Sequence, residues 1–178
     1  MNKLQKGNDA PNFDYQTDID AVSKDYYTES QNRKSILFFL RYVGCLVCQL
    51  DIKRINENSS SFAHKKTEVF IVIQSAVESI GSYKKIQPIY GKIVSDPFSN
   101  IYKSYAVKKG NIMQFLHPNS IPKVIQSLKN GFRHGKFEGE ETQLPAVFIV
   151  DKNHKIDYCY YGKNISDLPS IEELLKRL

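Results

Sequence analysis

Three five-residue apolar runs stand out from an otherwise mixed chain: Ile36–Leu40, Val69–Ile73 and Ala146–Val150. Runs this short, rich in branched and aromatic side chains, predict strands buried on both faces. Beyond the first run, Gln49–Glu57 is free of Gly and Pro, with Leu46, Leu50 and Ile55 available as one helical face. Ser59-Ser60-Ser61 then breaks the pattern. A weaker helix is expected over Val77–Ile86 and a short strand over Lys92–Ser95, with Asp96 capping a helix that carries Ile101, Tyr102 and Tyr105. Ser120, with Pro122 just behind it, opens a helix bearing Ile121, Val124, Ile125 and Leu128, and Gly131 ends it. Phe132–Gln143 reads as a mobile loop, rich in Gly and charge.

The two ends follow the same logic. Phe13–Thr17 suits a first short strand, with Asp18 as N-cap of a helix that buries Ile19, Val22 and Tyr26. Beyond the third run, Asp151–His154 is a turn into a strand where Ile156, Tyr158 and Tyr160 alternate with Asp157, Cys159 and Tyr161, so a hairpin is expected. Ser170–Glu173 is a capping box, and Ile171, Leu174, Leu175 and Leu178 line one stripe of the last helix. Strands alternating with helices, then a closing hairpin and helix, predict an α/β fold. It has a mixed central sheet with helices on both faces, in one domain over residues 1–178.

Composition changes this picture little. A net charge of +6 invites a polyanionic partner, yet the lysines are scattered, with only short pairs such as Lys84-Lys85 and Lys108-Lys109. No nucleic-acid motif accompanies them, so a solvated basic surface is expected and no nucleic-acid partner. No apolar stretch reaches the length of a membrane span, so no membrane partner is expected either. The charged first residues have no apolar segment behind them, and a cytoplasmic address follows as the expectation.

The chemistry concentrates in Arg41-Tyr42-Val43-Gly44-Cys45-Leu46-Val47-Cys48. A buried strand, a tight Gly-containing turn and a helix place Cys45 at a helix N-terminus. There unpaired N–H groups and the helix dipole stabilise a thiolate. Cys48 lies one turn on, close enough to close a small ring with Cys45. A zinc site would need about four ligands, and His64, His117, His134 and His154 are isolated in sequence. Inert core cysteines are the other alternative. Cys159, inside an expected strand, reads as packing. Arg41 either steers an anionic group near the sulfurs or stands solvated at a strand end.

Four segments resemble the thioredoxin superfamily, and within it the peroxiredoxin-like branch of the alkyl hydroperoxide reductase and thiol-specific antioxidant family. They are Gly7–Phe13, Val47–Ile52, Asp96-Pro97 with Ile101–Tyr105, and Leu144–Asp151. The resemblance implies a thioredoxin-like fold with an N-terminal extension and a helical insertion before a strand entered through a cis Leu144-Pro145 bond. It also implies catalysis by Cys45 and Cys48, with Gly44, Leu144, Pro145 and Arg41 lining the substrate and no cofactor or metal. Departures are plain: Cys45 stands where the family has Thr, Pro145 where it has Arg, Gln49 for Pro and Asp51 for Glu. Three functions follow. The first is a dithiol–disulfide oxidoreductase acting on a protein or small-molecule disulfide and restored by a cellular thiol reductant. The second is a thiol peroxidase in which Cys48 meets the peroxide and Cys45 resolves it. The third is a redox-sensing binding module without turnover.

Overall fold

The computed structural model describes residues 2–16 and 22–178. The three apolar runs become the middle of a five-stranded sheet. They are β3 (Lys34–Phe39), β4 (Thr67–Ile73) and β6 (Ala146–Val150), flanked by β5 (Lys92–Ser95) and β7 (Ile156–Tyr161). The order is β5-β4-β3-β6-β7. β3 pairs parallel with β4 and antiparallel with β6, and β6–β7 is the expected hairpin. The alternation of strand side chains splits each run between two cores. Ile36, Phe38, Val69, Ile71, Val147 and Ile149 face one side, and Leu37, Phe39, Phe70, Val72, Ala146 and Phe148 the other.

The first core is covered by α2 (Leu46–Glu57), α3 (Ser59–His64), α4 (Val77–Ile86) and α8 (Ile171–Arg177), through residues such as Ile52, Phe62, Ile80 and Leu174. The second takes Tyr26 of α1 (Tyr26–Glu29), Ile101 and Tyr102 of α5 (Asn100–Ser104), then Tyr105 and the N-terminal segment. The helical insertion holds α6 (Ile112–Phe115), a 3₁₀ turn at Pro118–Ser120 and α7 (Ile121–Lys129). No helix among the described residues is long and apolar enough to cross a membrane.

Several local expectations give way to other interactions. Of the expected first helix, Asp18 and Ile19 lie outside the described residues. Val22 is exposed, and Lys24–Asp25 (β2) instead pairs with Asp14–Tyr15 (β1), leaving Asp25 to cap the one-turn α1. The serines at 59–61 start α3 rather than ending helicity. On α2 the buried face is Val47, Cys48, Ile52 and Ile55 with Leu50, while Leu46 is half-exposed. Ser120 makes no cap bond to α7, its hydroxyl turning instead to Asn164, and Ile121, Ile125 and Leu128 lie exposed.

Asp96 does supply a cap, its carboxylate accepting from the N–H groups of Asn100, Ile101 and Tyr102. Ser170 accepts from Glu173 N, as the capping motif requires. Gly131, at φ +82°, ends α7 in the left-handed conformation that glycine adopts at no steric cost.

The largest correction concerns Leu144-Pro145, which is trans, since no described peptide bond is cis. Residues 142–144 run extended beside 108–110, with Gly110 N on Thr142 O at 2.7 Å and Leu144 N on Lys108 O at 3.4 Å. An extended segment so paired leads straight into β6, and Pro there loses no ladder bond because it opens the strand.

Candidate active site

β3 ends at Phe39, but pairing continues a little further, with Gln74 N on Arg41 O at 2.7 Å. Residues 42–45 then reverse the chain, Cys45 N donating to Tyr42 O at 3.2 Å. Cys45 becomes the N-cap of α2, in extended conformation, and its sulfur accepts from Cys48 N at 3.3 Å. A cap normally uses an oxygen. Here a thiol sulfur fills the position, which suits a thiolate far better than a neutral thiol.

Arg41 completes the environment. Its guanidinium Nη2 donates to Cys45 Sγ at 2.9 Å, and its backbone N–H reaches Cys48 Sγ at 3.3 Å. Both cysteines are reduced and buried, at 0 % and 3 % exposure. Burial pushes the Cys45 thiol up, but the hydrogen bond from Cys48, the Arg41 charge and the Cys48 N–H outweigh it, bringing its pKa down to about 6. Burial, the bond to Cys45 and the Cys45 charge all drive Cys48 well above the usual thiol range. The surroundings therefore favour a thiolate on Cys45 and disfavour one on Cys48.

The loop at 132–145 is not free. It forms a strap across the turn between β3 and α2, with Gly135 N on Gly44 O at 2.9 Å and Gln49 Nε2 on Arg133 O at 3.0 Å. A Cβ on Gly44 would sit 2.5 Å from Lys136 O and 3.1 Å from Gly135 C, so only glycine lets the two backbones meet. Further along, Glu141 turns inward. Its carbonyl accepts from Arg41 Nη1 at 2.5 Å, and its carboxylate lies 3.3 Å from the same nitrogen. The Tyr42 hydroxyl donates to the other carboxylate oxygen and meets His134 Nε2 at 3.0 Å.

Of the residues expected at the site, Arg41, Gly44, Cys45 and Cys48 come together. Leu144 and Pro145 precede β6, just beyond the Phe39–Ala146 pair of the β3–β6 ladder; the Leu144 side chain lies against Gly110, and Pro145 O takes Gly162 N at 2.9 Å. Glu141, Tyr42, His134 and Gln49 were not expected. Nothing local signals Glu141, which lies in a charge-rich loop a hundred residues from Arg41. Cys159 sits half-buried on β7, its thiol on Leu4 O, away from the pair. Among the described residues no three His, Cys, Asp or Glu side chains gather into a metal-binding group.

The profile of the AhpC/TSA family matches residues 6–159. The chain belongs to the AhpC/TSA family. Its similarity to bovine (Bos taurus) Peroxiredoxin-like 2C is 22 % identity over 157 residues, covering 82 % of this chain and 68 % of the relative. Among solved structures it is similar to a peroxiredoxin-like protein from Aquifex aeolicus, with a TM-score of 0.73 and 18 % identity over 99 % of this chain and 87 % of that one. It is also similar to a putative thiol:disulfide interchange protein DsbE from Chlorobium tepidum, with a TM-score of 0.64 and 16 % identity over 98 % and 95 % of the two chains. The thioredoxin-like fold is thus shared with these structures, and this AhpC/TSA chain carries two neighbouring cysteines at the start of α2.

Proposed function

We propose that the protein is a dithiol–disulfide oxidoreductase in which Cys45 is the attacking thiolate and Cys48 the second thiol. The observation that carries this is the unequal pair: Arg41 Nη2 and Cys48 N both donate to Cys45 Sγ, while burial and the Cys45 charge disfavour a thiolate on Cys48. Cys45 attacks one sulfur of a substrate disulfide, forming a mixed disulfide and expelling the other sulfur as thiolate. The negative charge on Cys45 is then gone, and with it part of what held the Cys48 proton. That proton passes to the departing thiolate. Cys48 attacks Cys45, closing the Cys45–Cys48 disulfide and releasing the second substrate sulfur as a thiolate, which takes a proton from solvent. A thiol reductant of the cell restores the dithiol. The burial of both sulfurs favours a small disulfide over a folded protein one.

A second reading, peroxide reduction, is favoured by the Arg41 guanidinium, a donor placed where charge develops as an O–O bond breaks. It would begin on Cys45, the thiolate, with Cys48 condensing on the sulfenic acid to release water. This exchanges the roles of the two cysteines in the expected peroxidase cycle.

Stopped-flow oxidation of the reduced protein by a small disulfide and by hydrogen peroxide separates the readings. In Cys48→Ser the mixed disulfide should accumulate on Cys45. Trapping on Cys48 in Cys45→Ser, with none on Cys45, would overturn the assignment.

A further inference from the structure

Arg41 is 5 % exposed, and its guanidinium is divided between two partners: Nη2 on the Cys45 sulfur, Nη1 on the carbonyl and carboxylate of Glu141. A guanidinium is a planar fork, so fixing one nitrogen fixes the other. Glu141 is itself held, since Tyr42, from the end of β3, donates to its second carboxylate oxygen and also meets His134 of the strap. The strap is anchored on either side, by Gly135 on Gly44 and by Glu140 N on Gln74 Oε1 at 2.9 Å. A long side chain that could swing is therefore clamped from the side opposite the sulfur.

We propose that Glu141 is a positioning residue which, from the strap, holds the Arg41 guanidinium against the Cys45 sulfur. This rests on the reading that Cys45 is the reactive thiolate. The charged and titratable groups around that sulfur are Arg41 and Tyr42 from the end of β3, Cys48 from α2, and Glu141 with His134 from the strap. Glu141 acts on the thiolate in two opposing ways. Its charge disfavours a second negative charge nearby, whereas its grip keeps the stabilising cation in place. Loss of the charge with Arg41 unmoved would make Cys45 more acidic; loss of the grip makes it less acidic.

The sign of the change is the test. Alkylation of Cys45, followed by peptide mapping across pH, is compared in the reduced wild type, Glu141→Gln and Glu141→Asp. Amide exchange of residues 132–141 is followed alongside. The positioning role predicts a midpoint raised by about one unit in Glu141→Gln, seen as about tenfold slower alkylation well below the midpoint, and partial recovery in Glu141→Asp. A midpoint unchanged or lowered, even with faster strap exchange, overturns the proposal and leaves the thiolate assignment standing. A wild-type Cys45 that titrates as an ordinary thiol overturns both.

Discussion

Removing the Arg41 guanidinium should be felt first as a loss of acidity at Cys45. The interaction at stake is a charge-assisted hydrogen bond of 2.9 Å inside a buried site. At an effective dielectric of about 20, two unit charges at that distance attract by roughly 6 kcal/mol, which is a ceiling. Hydrogen bonds to charged groups are worth about 1.5–3 kcal/mol once solvent is counted. At 1.36 kcal/mol per pKa unit this is a rise of about one to two units. From a starting value of about 6, the thiolate fraction at pH 7 falls from about 0.9 to between about 0.5 and 0.1. Arg41→Met keeps the buried stem and removes the charge. Arg41→Lys keeps the charge without the fork, so it should give a smaller rise. The assay is the rate of Cys45 alkylation by iodoacetamide against pH, with Cys45 and Cys48 peptides quantified separately. A midpoint unmoved in Arg41→Met would refute the reasoning, because the helix start and the Cys48 bond would then suffice alone.

Mild oxidation should join Cys45 to Cys48 and leave Cys159 free, and a mapped bridge from Cys159 to either partner would contradict the geometry. Gly44→Ala should destabilise the reduced protein by about 1–3 kcal/mol through overpacking against the strap backbone, read as a lower denaturation midpoint with faster exchange at Gly135. Asp51→Asn leaves Lys123, its ion-pair partner at 2.7 Å between α2 and α7, without a counter-charge in a nearly buried position. A loss of about 3 kcal/mol is expected, and Asp51→Asn at wild-type stability would argue against that pair as a tie between the helices. Cys45 titrates near 6 when folded and near the model-compound value of 9.0 when unfolded. The unfolded state then binds the extra proton between these values, so reduced-protein stability should rise with pH there by up to about 1.4 kcal/mol per unit. The gain should vanish as pH falls through 6, and Cys45→Ser should abolish it.

The central strands were legible because they are buried on both faces. An uninterrupted apolar run leaves little else for Ile36–Leu40, Val69–Ile73 or Ala146–Val150 to do. Cys45 at a helix start was equally readable, since strand, Gly turn and helix are contiguous. What failed to show was interaction across the chain. Ser120 looks like a cap until Asn164 competes for its hydroxyl. The resemblance implies a cis Leu144-Pro145, and the pairing of 142–144 with 108–110 gives it a trans, extended path instead. In the sequence the strap reads as a free loop, because its anchors, Gly44, Gln49, Tyr42 and Arg41, are local features of another segment. Periodicity carries no information about contacts a hundred residues apart.

The burial of both sulfurs beneath the strapped turn should also make the protein a size filter for reagents. A small electrophile that slips past the strap meets the thiolate of Cys45. A bulky maleimide or an immobilised disulfide meets only Cys159, half-exposed on β7, whose own thiol is made less reactive by burial. Surveys of reactive thiols with large probes would therefore mark the bystander and pass over the working pair, and only a series of probes graded in size would reverse that order.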